Sequence, residues 1–127
     1  MEELLHLSRR ERQIMDVVYA RGAASASDVL AGLPDPPTRV SVRTLLRILE
    51  AKGHLRHRRR GREYIYLPTR PRAKAARSAL GRVLKVFFSG SMERALASHL
   101  ADPRAEVSEA ELRRLEATIR RARKEGK

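Results

Sequence analysis

The chain has 127 residues, with 28 Lys plus Arg against 15 Asp plus Glu, a formal net charge of +13 and no Cys. That size suits one domain or two small lobes, and the missing thiols exclude disulfides, thiolate zinc sites and iron–sulfur clusters. Aromatic residues make up only 4%, too few for base-stacking platforms, and no apolar run nears the ~18 residues that a membrane span needs.

The start, Met1-Glu2-Glu3-Leu4, is acidic and lacks the basic and then apolar pattern of a signal peptide, so the cytoplasm is the expected location. A first helix opens at Ser8. With Glu11 it forms the S-x-x-E capping box, in which the Ser oxygen accepts an amide hydrogen and the Glu returns the bond. Ile14, Val17 and Val18 follow as one apolar stripe. Gly22 stops the helix by tolerating a left-handed backbone. Ala23-Ala24 is placed to be a short strand. Ser25 and Asp28 offer a second cap, and Val29, Leu30 and Leu33 a short helix ended by Pro34.

Asp35-Pro36-Pro37 reads as loop. A third helix is under way by Ser41. Val42, Leu45, Leu46 and Leu49 recur at helical spacing and define its inward face, which turns Arg43, Thr44 and Arg47 outward. Gly53 terminates it. The period then changes from that of a helix to that of a strand. His54 to Arg59 predicts one strand and Glu63 to Leu67 another, joined at Arg60-Gly61-Arg62. Tyr64 and Tyr66 alternate with Ile65 and Leu67 and are expected to pack toward the core. Three helices followed by a basic hairpin is the order of a winged helix-turn-helix domain, here residues 1–71.

Residues 72–127 are predicted to be helical. Ala76, Leu80, Val83, Leu84 and Phe87 form a long stripe, which Gly90 breaks; Met92, Leu96 and Leu100 form a shorter one. Ser108 and Glu111 suggest another capping box, with Val107 and Leu112 at the staple positions. Leu112, Leu115 and Ile119 share the following face. One-sided helices of this kind bury little alone, so a second copy of the chain is the expected partner. The dimerisation residues are then Leu80, Val83, Leu84, Phe87, Leu96, Leu100, Leu112, Leu115 and Ile119. Arg120, Arg121, Arg123 and Lys124 form a solvated basic tail that runs to Lys127. The fold class is mainly α with a small β-sheet: a winged helix-turn-helix domain followed by a helical dimerisation domain.

Charge locates the function. Of the basic residues 23 are Arg, a bias that a GC-rich genome alone can produce. Clustering is another matter: residues 1–38 carry a net −2, residues 39–62 a net +8 and the remaining 65 residues +7. The peak falls on the third helix and the hairpin, the elements such domains present to double-stranded DNA. Two other classes stay open, an architectural binder of low specificity and a protein-interaction adaptor with a basic wing. Catalysis is not expected, and neither is a metal or cofactor. His6, His54, His57 and His99 are scattered, and no Gly-rich phosphate loop or H-E-x-x-H is present.

The stretch Ser41-Val42-Arg43-Thr44-Leu45-Leu46-Arg47, then Glu50-Ala51-Lys52-Gly53-His54-Leu55, then Gly61-Arg62-Glu63-Tyr64-Ile65-Tyr66-Leu67-Pro68 resembles the penicillinase-repressor family (BlaI/MecI/CopY). Leu7-Ser8-x-x-Glu11 and Gly90-Ser91 fit it too, so the resemblance spans nearly the whole chain. It implies a homodimeric transcriptional repressor on an inverted-repeat operator. Arg43, Thr44 and Arg47 would then meet bases or phosphates from the major groove. Ser41 would sit where helix-terminal amides favour phosphate, and Arg58, Arg59, Arg60 and Arg62 would hold phosphates from the wing. Two departures bear on regulation. The copper-responsive branch uses a C-terminal pair of Cys, and this chain has none. The β-lactam-responsive branch is cut at an Asn-Phe bond, but this chain has no Asn and reads Ala97-Ser98-His99-Leu100 in that region. A sensor protease as partner would therefore cut at another bond.

Overall fold

Ser8 caps the first helix as its spacing predicts. Its Oγ accepts the Glu11 amide hydrogen at 3.1 Å, and Glu11 accepts the Ser8 amide hydrogen at 2.8 Å. The helix, α1 (Arg9–Arg21), buries Ile14, Met15 and Val18 and stops at Gly22 with φ +85°. The computed structural model describes residues 7–126; the acidic start, His6 and Lys127 lie outside them. Ser25 and Asp28 form a full capping box on α2 (Ala26–Gly32), which ends one residue short of Leu33. The third helix, α3 (Arg39–Ala51), begins two residues before Ser41, because Thr38 is its N-cap. Val42, Leu46 and Leu49 on α3 are completely buried, and Leu45 packs beside them.

Leu55–Arg60 (β1) and Glu63–Pro68 (β2) pair antiparallel. The first strand starts and ends one residue later than its sequence pattern suggests. His54 thus precedes it, and Arg60 pairs with Glu63 inside the ladder. The connection is Gly61-Arg62 alone. Gly61 has φ +64° and Arg62 does not share that sign, as a type II′ turn requires. Ala24 exchanges both backbone hydrogen bonds with Tyr66, at 3.0 and 2.8 Å, which makes it the one-residue third strand.

Ile14, Val18, Val29, Val42, Leu46, Leu49, Leu55 and Tyr66 belong to one core cluster. At its edge Glu11, 4% exposed, also takes Lys52 Nζ at 2.9 and 3.2 Å, which ties the start of α1 to the end of α3. Burial alone would raise the Glu11 pKa. The Lys52 and Ser8 bonds outweigh it and hold the carboxyl below its usual value.

The chain divides into two compact units between Ala79 and Leu80, within α4 (Arg72–Phe88). In the first unit, the Arg72 guanidinium donates to the carbonyls of Tyr19 and Ala20 at the end of α1. The second unit holds the rest of α4, α5 (Met92–Ala101) and α6 (Glu109–Lys124). Ser108 makes its half of the expected box, accepting from the Glu111 amide at 3.0 Å. None of the described residues from Leu80 onward is buried. Among the described residues no helix is long and apolar enough to cross a membrane.

Candidate nucleic-acid interface

The buried face of α3 fixes what its other face offers. With Val42, Leu46 and Leu49 in the core, Arg43, Thr44 and Arg47 are exposed. Thr44 Oγ1 donates back to the Val40 carbonyl at 3.0 Å. Ser41 is also exposed, but its amide hydrogen is taken by Thr38 Oγ1 at 3.1 Å. The open amides of this helix end are therefore those of Arg39 and Val40. Arg39, which the sequence reading passed over, reaches Ser27 Oγ on α2 at 3.4 Å.

The hairpin has two faces that differ in content. Alternation and register put Leu55, His57 and Arg59 with Tyr64 and Tyr66 on one, and Arg56, Arg58 and Arg60 with Ile65 and Leu67 on the other. The first face is core at its root, where Leu55 and Tyr66 are buried, and open toward the tip. Tyr64 therefore does not pack inward as expected: it is 44% exposed. Its ring stacks on His57 at 4.2 Å and lies edge-on to Tyr66 at 6.3 Å, and the Arg59 guanidinium sits 5.6 Å from its centre. His57 Nδ1 in turn meets the Glu50 carboxylate of α3 at 2.7 Å. Burial, then the nearby Glu50 and Tyr64, raise the Tyr66 pKa, so its phenol keeps its proton.

Between these elements lies a groove of about 350 Å³ lined by Ser25, Ala26, Ser27, Arg43, Arg47, Arg62, Glu63, Tyr64 and Tyr66. It brings three of the sequence-predicted arginines together from α3 and the turn. Glu63 is the acid among them, and it pairs with Arg60 at 3.6 Å, both well exposed. Arg58 stands on the other face of the hairpin, and Ser41 and Thr44 lie outside the groove lining. A concave, cationic surface beside the exposed face of α3 suits a polyanion with a groove of its own.

A family model described as Penicillinase repressor matches residues 7–121. No curated protein matches the chain. Among solved structures, the solution structure of the DNA-binding domain of the repressor BlaI is similar at 25% identity, over 52% of this chain and 83% of that one, with a TM-score of 0.47. The CopR repressor structure is similar at 28% identity, over 52% of this chain and 99% of that one, TM-score 0.45. A structure of Bordetella bronchiseptica BpsR, concerned with regulation of its DNA binding by 6-hydroxynicotinic acid, shares 18% identity over 94% of this chain and 76% of that one, TM-score 0.49.

Proposed function

The chain belongs to the penicillinase repressor family, and on that premise we propose that it is a sequence-specific transcriptional repressor acting as a homodimer on an inverted-repeat operator in the cytoplasm. The observation that carries this reading is the groove that gathers Arg43, Arg47 and Arg62 beside the outward face of α3. In the proposal α3 enters the major groove, and Arg43 or Arg47 pairs with guanine. Arg62 and Arg59 hold phosphate from the groove side of the hairpin. Arg58 and Arg60, on its other face, add charge without fixing register. Residues 1–71 bind DNA and residues 72–127 dimerise.

Support for the dimer comes from the second unit. Val86, Phe87, Met92, Leu100 and Ile119 are exposed, Phe87 by 75%, and this unit has no buried residue among those described. A helical unit without a core in one chain gains one by pairing with its copy. Leu80, Val83, Leu84, Phe87, Leu96, Leu100, Leu112, Leu115 and Ile119 would then meet their counterparts.

The deciding experiment is selection of a binding site from random duplex DNA by the full chain, followed by competition with a scrambled duplex at several salt concentrations. A palindromic site preferred at least a thousandfold is the expected result. Strong, salt-dependent binding with no preferred sequence would favour the architectural reading. Weak binding that is nearly flat in salt would favour the adaptor.

A further inference from the structure

One apolar side chain on α3 has no packing role. Val40, in the first turn of the helix, is 74% exposed, while Val42 beside it is completely buried. At about 100° per residue, Val40 points within about 20° of Arg47 and lies between the directions of Arg43 and Thr44. These four residues form a single outward stripe opposite Val42, Leu46 and Leu49. Thr44 extends the apolar character. Its hydroxyl hydrogen is committed to the Val40 carbonyl at 3.0 Å, so it has no proton left to donate outward. An aliphatic strip thus runs alongside the two guanidinium groups, at the end of the helix that recognition helices lay against base edges.

A lone exposed valine on a surface is ordinary. One set among the cations of a DNA-reading stripe has a specific match. Of the base edges in the major groove, thymine is the one that presents an apolar group, its 5-methyl. We propose that Val40 is a specificity-determining residue that reads the 5-methyl group of a thymine in each half-site, next to the base pair met by Arg43 or Arg47. The proposal rests on the reading of α3 as the element that enters the major groove.

The test uses the full chain and the duplex it selects from a random pool. Each thymine of the half-site is replaced in turn by deoxyuridine, which keeps every hydrogen-bonding group and removes only the methyl. Burial of one methyl sets the expected loss at about fourfold per half-site, and about fifteenfold when both are changed. Val40→Ala should shrink this discrimination to under about twofold, and Val40→Ile should restore it. Because Val40 is exposed, melting curves of both variants should match the wild type. A clear sequence preference with no methyl-sensitive thymine overturns the proposal alone, as does a Val40→Ala protein that still discriminates fully. Absence of any sequence preference overturns the proposal and the repressor reading together.

Discussion

Arg62→Ala and Arg58→Ala remove the same group from the same hairpin and are expected to have different effects. Arg62 lines the groove with Arg43 and Arg47, whereas Arg58, paired with Ile65, is on the far face. If Arg62 grips one phosphate, a homodimer loses two contacts on its truncation. The slope of log K against log salt should then fall by about 1.8, from about 0.9 per phosphate. Between roughly 50 and 200 mM salt the wild type should therefore lose about twelvefold more affinity than Arg62→Ala. Arg58→Ala should keep the wild-type slope within error. Fluorescence anisotropy on the selected duplex at four salt concentrations reads both slopes, with melting curves to show that both variants fold. Equal slopes for the two variants would refute the assignment of faces to the hairpin, and a wild-type slope in Arg62→Ala would remove Arg62 from the phosphate contacts.

Arg43→Ala or Arg47→Ala should cost about 1–3 kcal/mol per half-site and relax preference at one base position, measured by competition with single-base operator variants; uniform loss across all variants would reject α3 as reader. Glu11→Gln should cost about 1 kcal/mol near neutrality, since Lys52 is 43% exposed and partly solvated without its partner. Because the folded Glu11 pKa lies below its ordinary value, this contribution is full above the unfolded pKa and disappears as pH falls through the folded one. Thermal unfolding of the two proteins should thus converge in acid, and a gap that stays constant into acid would contradict the ion pair. Phe87→Ala should weaken dimerisation about a thousandfold, at about 2 kcal/mol for each of two truncated anchors; sedimentation that shows an unchanged dimer would place Phe87 outside the interface.

Local signals made most of the elements legible. Ser8 with Glu11, Ser25 with Asp28, and the stripes of α1 and α3 each act within a turn or two of helix, so spacing alone reveals them. Thr38 was missed because Pro36-Pro37 masks the loop in which the cap sits. Alternation sorted the hairpin into two faces, but not how far along each face burial extends. That is why Tyr66 is core while Tyr64, two residues nearer the tip, is open to the groove. The phase of the wing arginines was equally hidden. A connection of Arg60-Gly61-Arg62 and one of Gly61-Arg62 look alike in sequence, yet only the second sets the register that pairs Arg58 with Ile65 and Arg59 with Tyr64. The Glu11–Lys52 pair spans 41 positions, and nothing short-range announces it.

The helix α3 is fastened at both ends: Arg39 reaches Ser27 on α2, Lys52 holds Glu11 on α1, and Glu50 meets His57 on β1. Helix and hairpin are consequently parts of one gauge rather than two independent fingers. On the proposed reading, the span from the bases beneath Arg43 and Arg47 to the backbone beneath Arg62 would be set when the protein folds, before any DNA arrives. An operator would then be measured as well as read. A half-site lengthened by one base pair between those contacts would offer every correct base at the wrong distance, and the jaws of the caliper would close on neither.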